Sequence, residues 1–595
     1  MNNLYLTLKL SIGLTMATGM WLDVTPSNAE VPDSSQYGPV YRYHAEGKKI
    51  IANGWDTPDT AFVRKQLHQM EHNPLDGTAI VIRGQTGTES LDETCNTRKI
   101  WQKWTWERDW FDQAREDLHA VEFDRFSDNF IRINVTPGNV EWFDDEGWHA
   151  VANNLALMAE LAKDTGLTGF AFDPESYRQH QFRYSIDAAH SFAEYQEMAR
   201  MRGRETMSAI AEHFPGITIL GFRFLSYNMA ALTATDPNVI LEHDDYGLYP
   251  AFFNGMLDAL PPDATLVEGV EDTYLTNSTQ EFLRVYHDMR FEAMRLVAPE
   301  NRKKYQNQVQ VGAAIYLDAY INPTGERWRV NDFGQPPVER LRQNLTNALA
   351  IAEEYVWLWG ERSHWFETSS TQWHAERQSG VSWQDALPGI EHAFAWARHP
   401  MRTAADAVGG LKEKGKLSNL ARNSDFTQTG EDQPDVMASD WDSEGLPAHW
   451  SSWQRDYSHG TFKWDQSKGR TRAGSAKAVG VQHGAFIQVL DVKPGQQLIV
   501  EAHAQLQGEV TPFVRIQWRQ HTGHRILAYY DITAQFDAVT QTDDDWQRAV
   551  TVLTVPDRAH EMAIILFATG RAGEENVTWF DDVHVYELTP TTLWE

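Results

Sequence analysis

The run Gly169-Phe170-Ala171-Phe172-Asp173-Pro174-Glu175 ends a strand-like apolar stretch in two carboxylates two residues apart. Side chains alternate across a strand, so Asp173 and Glu175 share a face if the extended geometry continues through Pro174. Two acids on one face suit proton transfer, one holding a proton while the other carries charge or attacks. The same residues would also suit a helix start, with Asp173 as cap, Pro174 in the first turn and Glu175 at the positive end of the dipole. Two more acidic groups follow apolar runs: Glu268, Glu271 and Asp272 after Thr265-Leu266-Val267, and Glu361 after Trp357-Leu358-Trp359-Gly360.

Those acids need elements to position them. Eight strand-like segments, at 49–55, 78–83, 129–134, 168–173, 217–224, 265–271, 309–317 and 355–359, alternate with helical periodicity, clearest at 149–163, 188–212, 280–296 and 337–354. This order predicts an α/β fold, a TIM-type (β/α)8 barrel over residues 30–410. A doubly wound open sheet is the alternative, but no Gly-rich phosphate loop follows an early strand. Barrels carry their chemistry at the C-terminal ends of the strands, so all three acidic groups would meet at one mouth. Further strand-end residues are expected substrate contacts: Trp55 and Asp56, Arg83, Asn134, Arg223, Trp359 and Trp365. A buried, ion-paired Arg223 is an equally good account. Of Trp357 and Trp359, one is expected to floor a subsite. His243 and Asp244 precede a helix and read as a substrate loop or helix start. With no second His at ligand spacing, no metal site is expected there.

At 595 residues the chain exceeds one ordinary core. Aromatics reach 12%, including 23 Trp. Such rings either fill cores or stack on sugar faces. Acidic residues outnumber basic ones, 83 to 52, for a net charge of −31. That balance argues against nucleic acid and anionic membrane surfaces as partners. The lone Cys95 excludes a disulfide framework and a thiolate metal cluster. Lys9, an apolar stretch at 10–22 too short to span a bilayer, and Ser27-Asn28-Ala29 read as an export signal over residues 1–29. No later apolar run approaches membrane-spanning length, so a secreted or periplasmic protein without membrane insertion is expected. A Lys/Gly-rich linker occupies 411–417, and short alternating runs separated by turn residues then predict an all-β jelly-roll sandwich over 418–595.

That sandwich resembles a carbohydrate-binding module of the family 4/9/22 type. The resemblance rests on Asn419-Leu420-Ala421-Arg422-Asn423-Ser424-Asp425-Phe426, on Pro447-Ala448-His449-Trp450, and on the closing Trp579-Phe580-Asp581-Asp582-Val583-His584-Val585. It implies a polysaccharide or oligosaccharide partner, with Trp450, Trp453, Trp518 and Tyr529 as candidate stacking residues beside Tyr457, and a structural calcium ion as a possibility. The Asp173-x-Glu175 pair is similar to the end of the strand motif of chitinase-like barrels. The two earlier acids of that motif are replaced here by Thr168 and Ala171, so the resemblance implies a barrel glycoside hydrolase without naming its family.

Glycosidic cleavage uses two carboxylates, one protonating the leaving oxygen and one attacking or activating water. Glu175 is the expected donor, with Asp173 as the like-charged neighbour that tunes it. Glu271 is preferred over Glu361 as the second carboxylate, because Glu361 could instead pair with Arg362. No cofactor is expected for catalysis. A glycan-binding barrel without activity and a polysaccharide lyase are the competing readings. A serine esterase is disfavoured, since no Gly-x-Ser-x-Gly elbow occurs.

Overall fold

The barrel is built from short, largely buried parallel strands: β1 Lys49–Gly54, β2 Gly77–Ile80, β3 Phe130–Asn134, β4 Gly169–Asp173, β5 Thr218–Gly221, β6 Thr265–Glu268, β7 Val309–Val311, β8 Ala313–Tyr316 and β9 Tyr355–Gly360. The computed structural model describes residue 47 onward, apart from 176, 178–179, 186–188, 369–379, 401–402, 404–407, 409–416, 429–444, 521–531, 537–544, 557 and 589–595. The expected export signal, nearly all of the linker and Tyr529 lie outside the described residues.

Strand order follows the chain from β1 to β7, and β9 pairs with both β1 and β8. The expected seventh strand is split at Gly312. Its first half pairs with β6 and its second half with β9, so the one segment closes the barrel. A Cβ at Gly312 would meet the Tyr355 and Glu268 carbonyls at 3.0 Å and 3.2 Å. Glycine therefore permits the close approach at the seam.

Three strands stop well short of their expected ends, β2 at Ile80 among them. β5 stops at Gly221, placing Arg223 beyond it, and β6 stops at Glu268 because Val270 adopts a left-handed conformation (φ 39°). The expected outer helices appear at Asp145–Asp164, Phe192–His213, Thr279–His287 and Pro337–Ile351. Phe192–His213 starts with a Ser191 capping box, and no helix begins at Pro174, so the helix-cap reading of Asp173 is overturned.

Beyond residue 418 lie two five-stranded antiparallel sheets. One is ordered β10 Ser451–Gln454, β13 His483–Asp491, β18 Glu561–Thr569, β15 Phe513–Arg519 and β16 Ile532–Gln535. The other is ordered β11 Thr461–Asp465, β12 Ser475–Val479, β19 Val577–Glu587, β14 Gln497–Gln507 and β17 Gln547–Thr554. Alternation sends Phe486, Ile516, Leu566, Val500 and Phe580 into the shared core.

Trp450 and Trp518 also lie in that core, 0% and 1% exposed, so neither can stack on a sugar. Trp453 instead lies on the outer face of its sheet, packed against Ile487, Ile565 and Phe567. No group of three or more His, Cys, Asp or Glu side chains among the described residues could hold a metal ion. Asp581 accepts backbone N–H bonds from Arg470 and Asp582, while Asp582 binds the Arg470 guanidinium. The two acids of the closing motif are thus engaged by the protein's own donors.

The sandwich packs directly on the barrel. Trp396, on the helix Ile390–Arg398, clusters with Ile499, Val552, Tyr586 and Leu588. Arg342, on the helix Pro337–Ile351, binds Glu339 at 2.6 Å, donates to Gln497 and lies 4.5 Å over the Trp396 ring. No helix of the described residues is long and apolar enough to cross a membrane.

Candidate active site

Arg132 and Asn134, two apart on β3, point to the same side by strand alternation. The Arg132 guanidinium donates to Asn53 at 2.7 Å, Asn134 at 3.0 Å and Asp173 at 2.7 Å, and its carbon lies 4.5 Å over Phe222 and 5.2 Å over Trp359. Asp173, 1% exposed, also accepts from the Asn134 amide at 2.7 Å, the Tyr177 hydroxyl at 2.9 Å and the Glu175 backbone N–H at 2.9 Å. Burial pushes the Asp173 carboxyl up from its ordinary value, and the Arg132 guanidinium opposes the shift. With four donors converging on it, Asp173 anchors the cleft floor and is not free to attack or shuttle a proton.

Glu175 rises from this floor. Its carboxylate accepts from the Tyr227 hydroxyl at 3.1 Å, and the Tyr227 ring stacks on Tyr246 at 3.9 Å and 7°. Glu271 arrives from β6 through the strained Val270. A left-handed conformation costs a β-branched residue about 1–3 kcal/mol. Backbone bonds hold that turn: Gly269 N–H to the Gly221 carbonyl at 2.8 Å, and Glu271 N–H to the Phe222 carbonyl at 3.1 Å. The Trp357 indole donates to the Gly269 carbonyl at 2.8 Å. Arg223 lies 3.3 Å from Glu271 and 3.1 Å from Asp272, which is the ion-paired account of that arginine. Burial pushes the Glu271 carboxyl up to about 8; Arg223 opposes the shift, while the charges of Glu175 and Asp173 add to it.

Glu175, Glu271 and Glu361 all line one cleft of about 440 Å3 at the barrel mouth. Glu361 accepts from the Trp359 indole at 2.9 Å. Trp55, Tyr177, Tyr274, Tyr316, Trp328 and Trp359 supply aromatic walls, and Arg98, Arg132, Asn134 and Gly54 complete the lining. Trp359 thus reaches the cleft, whereas Trp357 is 0% exposed and stacked on Phe222 in the barrel core.

Several expected contacts lie elsewhere. Asp56 accepts from the backbone N–H groups of Trp365 and Phe366 at 2.6 Å and 3.2 Å, fixing the segment after β9 instead of meeting substrate. Arg83 pairs with Asp59 at 3.5 Å outside the cleft lining, and Trp365 packs against Phe394. His243 is exposed and Asp244 accepts from the Tyr246 N–H at 2.7 Å, so both belong to a turn before the helix Tyr249–Ala259. Glu268 is spent on the N–H groups of Phe224, Leu225 and Ser226 and on the Ser226 hydroxyl. Cys95 is buried, and among the tryptophans nearby Trp101 and Trp106 are core.

Arg132 is a site residue that the sequence reading does not single out, although its two-residue spacing to Asn134 is a usable signal. Tyr316 ends β8, within the expected seventh strand, whereas Arg98, Tyr177, Tyr227, Tyr274 and Trp328 lie in short turns and loops whose course no strand or helix pattern reveals.

The chain matches no protein-family model and no curated protein sequence. Among solved structures, it is similar to the enzymatically active domain of tailspike protein 4 of bacteriophage CBA120, at 15% identity and a TM-score of 0.20. That match covers 29% of this chain and only 21% of the tailspike chain. A structure described as a CBM4 matches at 20% identity and a TM-score of 0.19, over 28% of this chain and 99% of its own. The CBM22-1-GH10 modules of the Clostridium thermocellum endo-1,4-beta-D-xylanase 10B, complexed with xylohexaose, match at 10% identity and a TM-score of 0.19, over 24% of this chain and 26% of theirs. These values are too low to place the chain in a family.

Proposed function

We propose that the protein is a glycoside hydrolase acting on a poly- or oligosaccharide in the cleft at the barrel mouth. The observation that carries the reading is that Glu175 and Glu271, from beyond the ends of β4 and β6, line one aromatic-walled cleft, where the Glu175 charge adds to the raised pKa of Glu271. Glu271, protonated at neutral pH by virtue of its raised pKa, donates to the leaving oxygen, and Glu175 attacks the anomeric carbon or activates water. This reverses the roles expected from the sequence, because the burial of Glu271 could not be read from its neighbours. The aromatic walls would hold sugar rings by their apolar faces. Export by the N-terminal apolar stretch belongs to the same proposal.

Incubation of the full chain with a panel of polysaccharides, followed by assay of newly formed reducing ends, tests it. Glu175→Gln and Glu271→Gln should each lose turnover while keeping glycan binding. Binding without turnover in the unaltered protein would favour the non-catalytic reading, and full activity in both variants would refute the assignment.

A further inference from the structure

The cationic side chains at the barrel mouth differ in their partners. Arg132 is bound to Asp173, Arg223 lies against Glu271 and Asp272, and Arg83 meets Asp59. Arg98 lines the cleft, and among the described residues no carboxylate lies within ion-pair distance of it and no acceptor hydrogen-bonds its guanidinium. It is nevertheless firmly placed. Thr97, 0% exposed, donates its N–H to the Ile82 carbonyl at 3.0 Å, and its hydroxyl accepts from the Ile82 N–H at 3.2 Å. The short turn Thr97–Lys99 is thereby pinned to the end of the β2 segment. The half-buried guanidinium meets the cleft with no carboxylate against it, so a fold that fixes it this way leaves room for an anion. Burial, with the like charges of Arg132 and Arg83, lowers Arg98 to about 10, and the Asp56 charge opposes the shift.

Taking the cleft as the saccharide site proposed above, we infer that it binds an acidic sugar whose carboxylate or sulfate docks on Arg98. In the closed strand order the β2 position faces β6 across the mouth, so the anion sits on the wall opposite Glu271. Trp55, also in the cleft lining, supplies a flat surface for the sugar. A planar guanidinium suits both anions, since its paired N–H groups match two oxygens of either. One local cation also reconciles an anionic substituent with a chain of net charge −31.

The test uses the full-length protein carrying Glu175→Gln, so that binding is read without turnover. Calorimetric titrations compare oligogalacturonate with its carboxyl-reduced form, and a sulfated galactan oligosaccharide with its desulfated form. The acidic member of one pair should bind about tenfold or more tightly than its neutral counterpart, and the pair that shows the preference identifies the anion. Arg98→Ala should abolish the preference, weakening the acidic member about tenfold or more beyond any change in the neutral one, and Arg98→Lys should keep part of it. Equal binding within both pairs, or a preference that survives Arg98→Ala, would overturn the inference. With the Glu175 side chain intact, an unsaturated uronate product would keep Arg98 as the anion site but replace hydrolysis with elimination. Equal binding within both pairs, with hydrolysis of a neutral polysaccharide by the unaltered protein, would reject the acidic sugar alone.

Discussion

Replacing Glu271 with Gln keeps the shape of the side chain and removes its proton-donating ability. Arg223 retains Asp272 as an ion partner at 3.1 Å, so the surrounding contacts survive. General acid catalysis contributes roughly 10²–10⁴-fold, or about 2.7–5.4 kcal/mol at 1.36 kcal/mol per decade. That loss should appear only where the leaving group needs a proton. An oligosaccharide leaves as a basic alkoxide and should show the full decrease in kcat/KM. An activated aryl glycoside leaves as a stable phenolate and should be cleaved by Glu271→Gln nearly as fast as by the unaltered enzyme. The pH profile supplies a second reading. With Glu271 at about 8, kcat/KM for the oligosaccharide should fall about tenfold per unit above that pH, and this basic limb should vanish in the variant. Equal losses on both substrates, or a basic limb that persists, would refute Glu271 as the donor.

The same substitution should alter stability with a fixed sign. The folded carboxyl titrates near 8, above its ordinary value of 4.5, so the stability it contributes is present below 4.5 and lost as pH rises through 8. Glu271→Gln should therefore gain in Tm relative to the unaltered protein between pH 5 and 9; a difference constant with pH would contradict the burial argument. Asp173→Asn leaves Arg132 buried without its anion and should cost about 3–5 kcal/mol in urea titration, whereas a loss below about 1 kcal/mol would remove Asp173 from the role of anchor. In the same titration Trp450→Ala should destabilise the protein by about 3–5 kcal/mol. Trp453→Ala should cost only about 1 kcal/mol, since Trp450 fills the sandwich core and Trp453 does not. Trp396, Arg342 and Glu339 are 0%, 2% and 2% exposed beneath the sandwich. Truncation after residue 417 strips that cover and should lower the Tm of the remaining barrel; an unchanged barrel Tm would mean that the sandwich is only tethered.

The alternation of strands and helices was legible because each barrel strand is a short apolar run, and a run of that kind needs no tertiary partner to be recognised. Where the fold departed from the pattern, a local backbone event was responsible. Val270 turned the chain before the apolar run had ended, and Gly312 divided one strand between two neighbours. In the sandwich, strand periodicity gave the sheets but not which aromatics face the core. Trp450 and Trp518 follow the same alternation as exposed stacking residues would, and only the packing of the second sheet distinguishes them. The linker expected between barrel and sandwich is bypassed by a packed interface, whose Arg342–Gln497 contact joins residues far apart in the chain.

Acids at the ends of barrel strands look alike in sequence, and their hydrogen-bond partners separate them. Asp56, Asp173, Glu268 and Asp318 each accept at least one backbone N–H, and all four are nearly inaccessible. Their oxygens hold turns and loop starts in place, and none of the four lines the cleft. Glu175 and Glu271 differ in kind. Among the described residues, the Glu175 carboxylate meets only the Tyr227 hydroxyl, and the Glu271 carboxylate lies against Arg223 without a hydrogen bond of good geometry. A carboxylate with unsatisfied oxygens beside an open cleft is stable only because the surrounding network holds it there, and the Asp173–Arg132 floor and the Val270 turn do so. Glu361, held by the Trp359 indole on the facing wall, is better suited to a sugar hydroxyl than to the reacting bond. The catalytic pair is thus separated from its neighbours by what the acids leave unbound, a property that arises only when the loops close over the mouth.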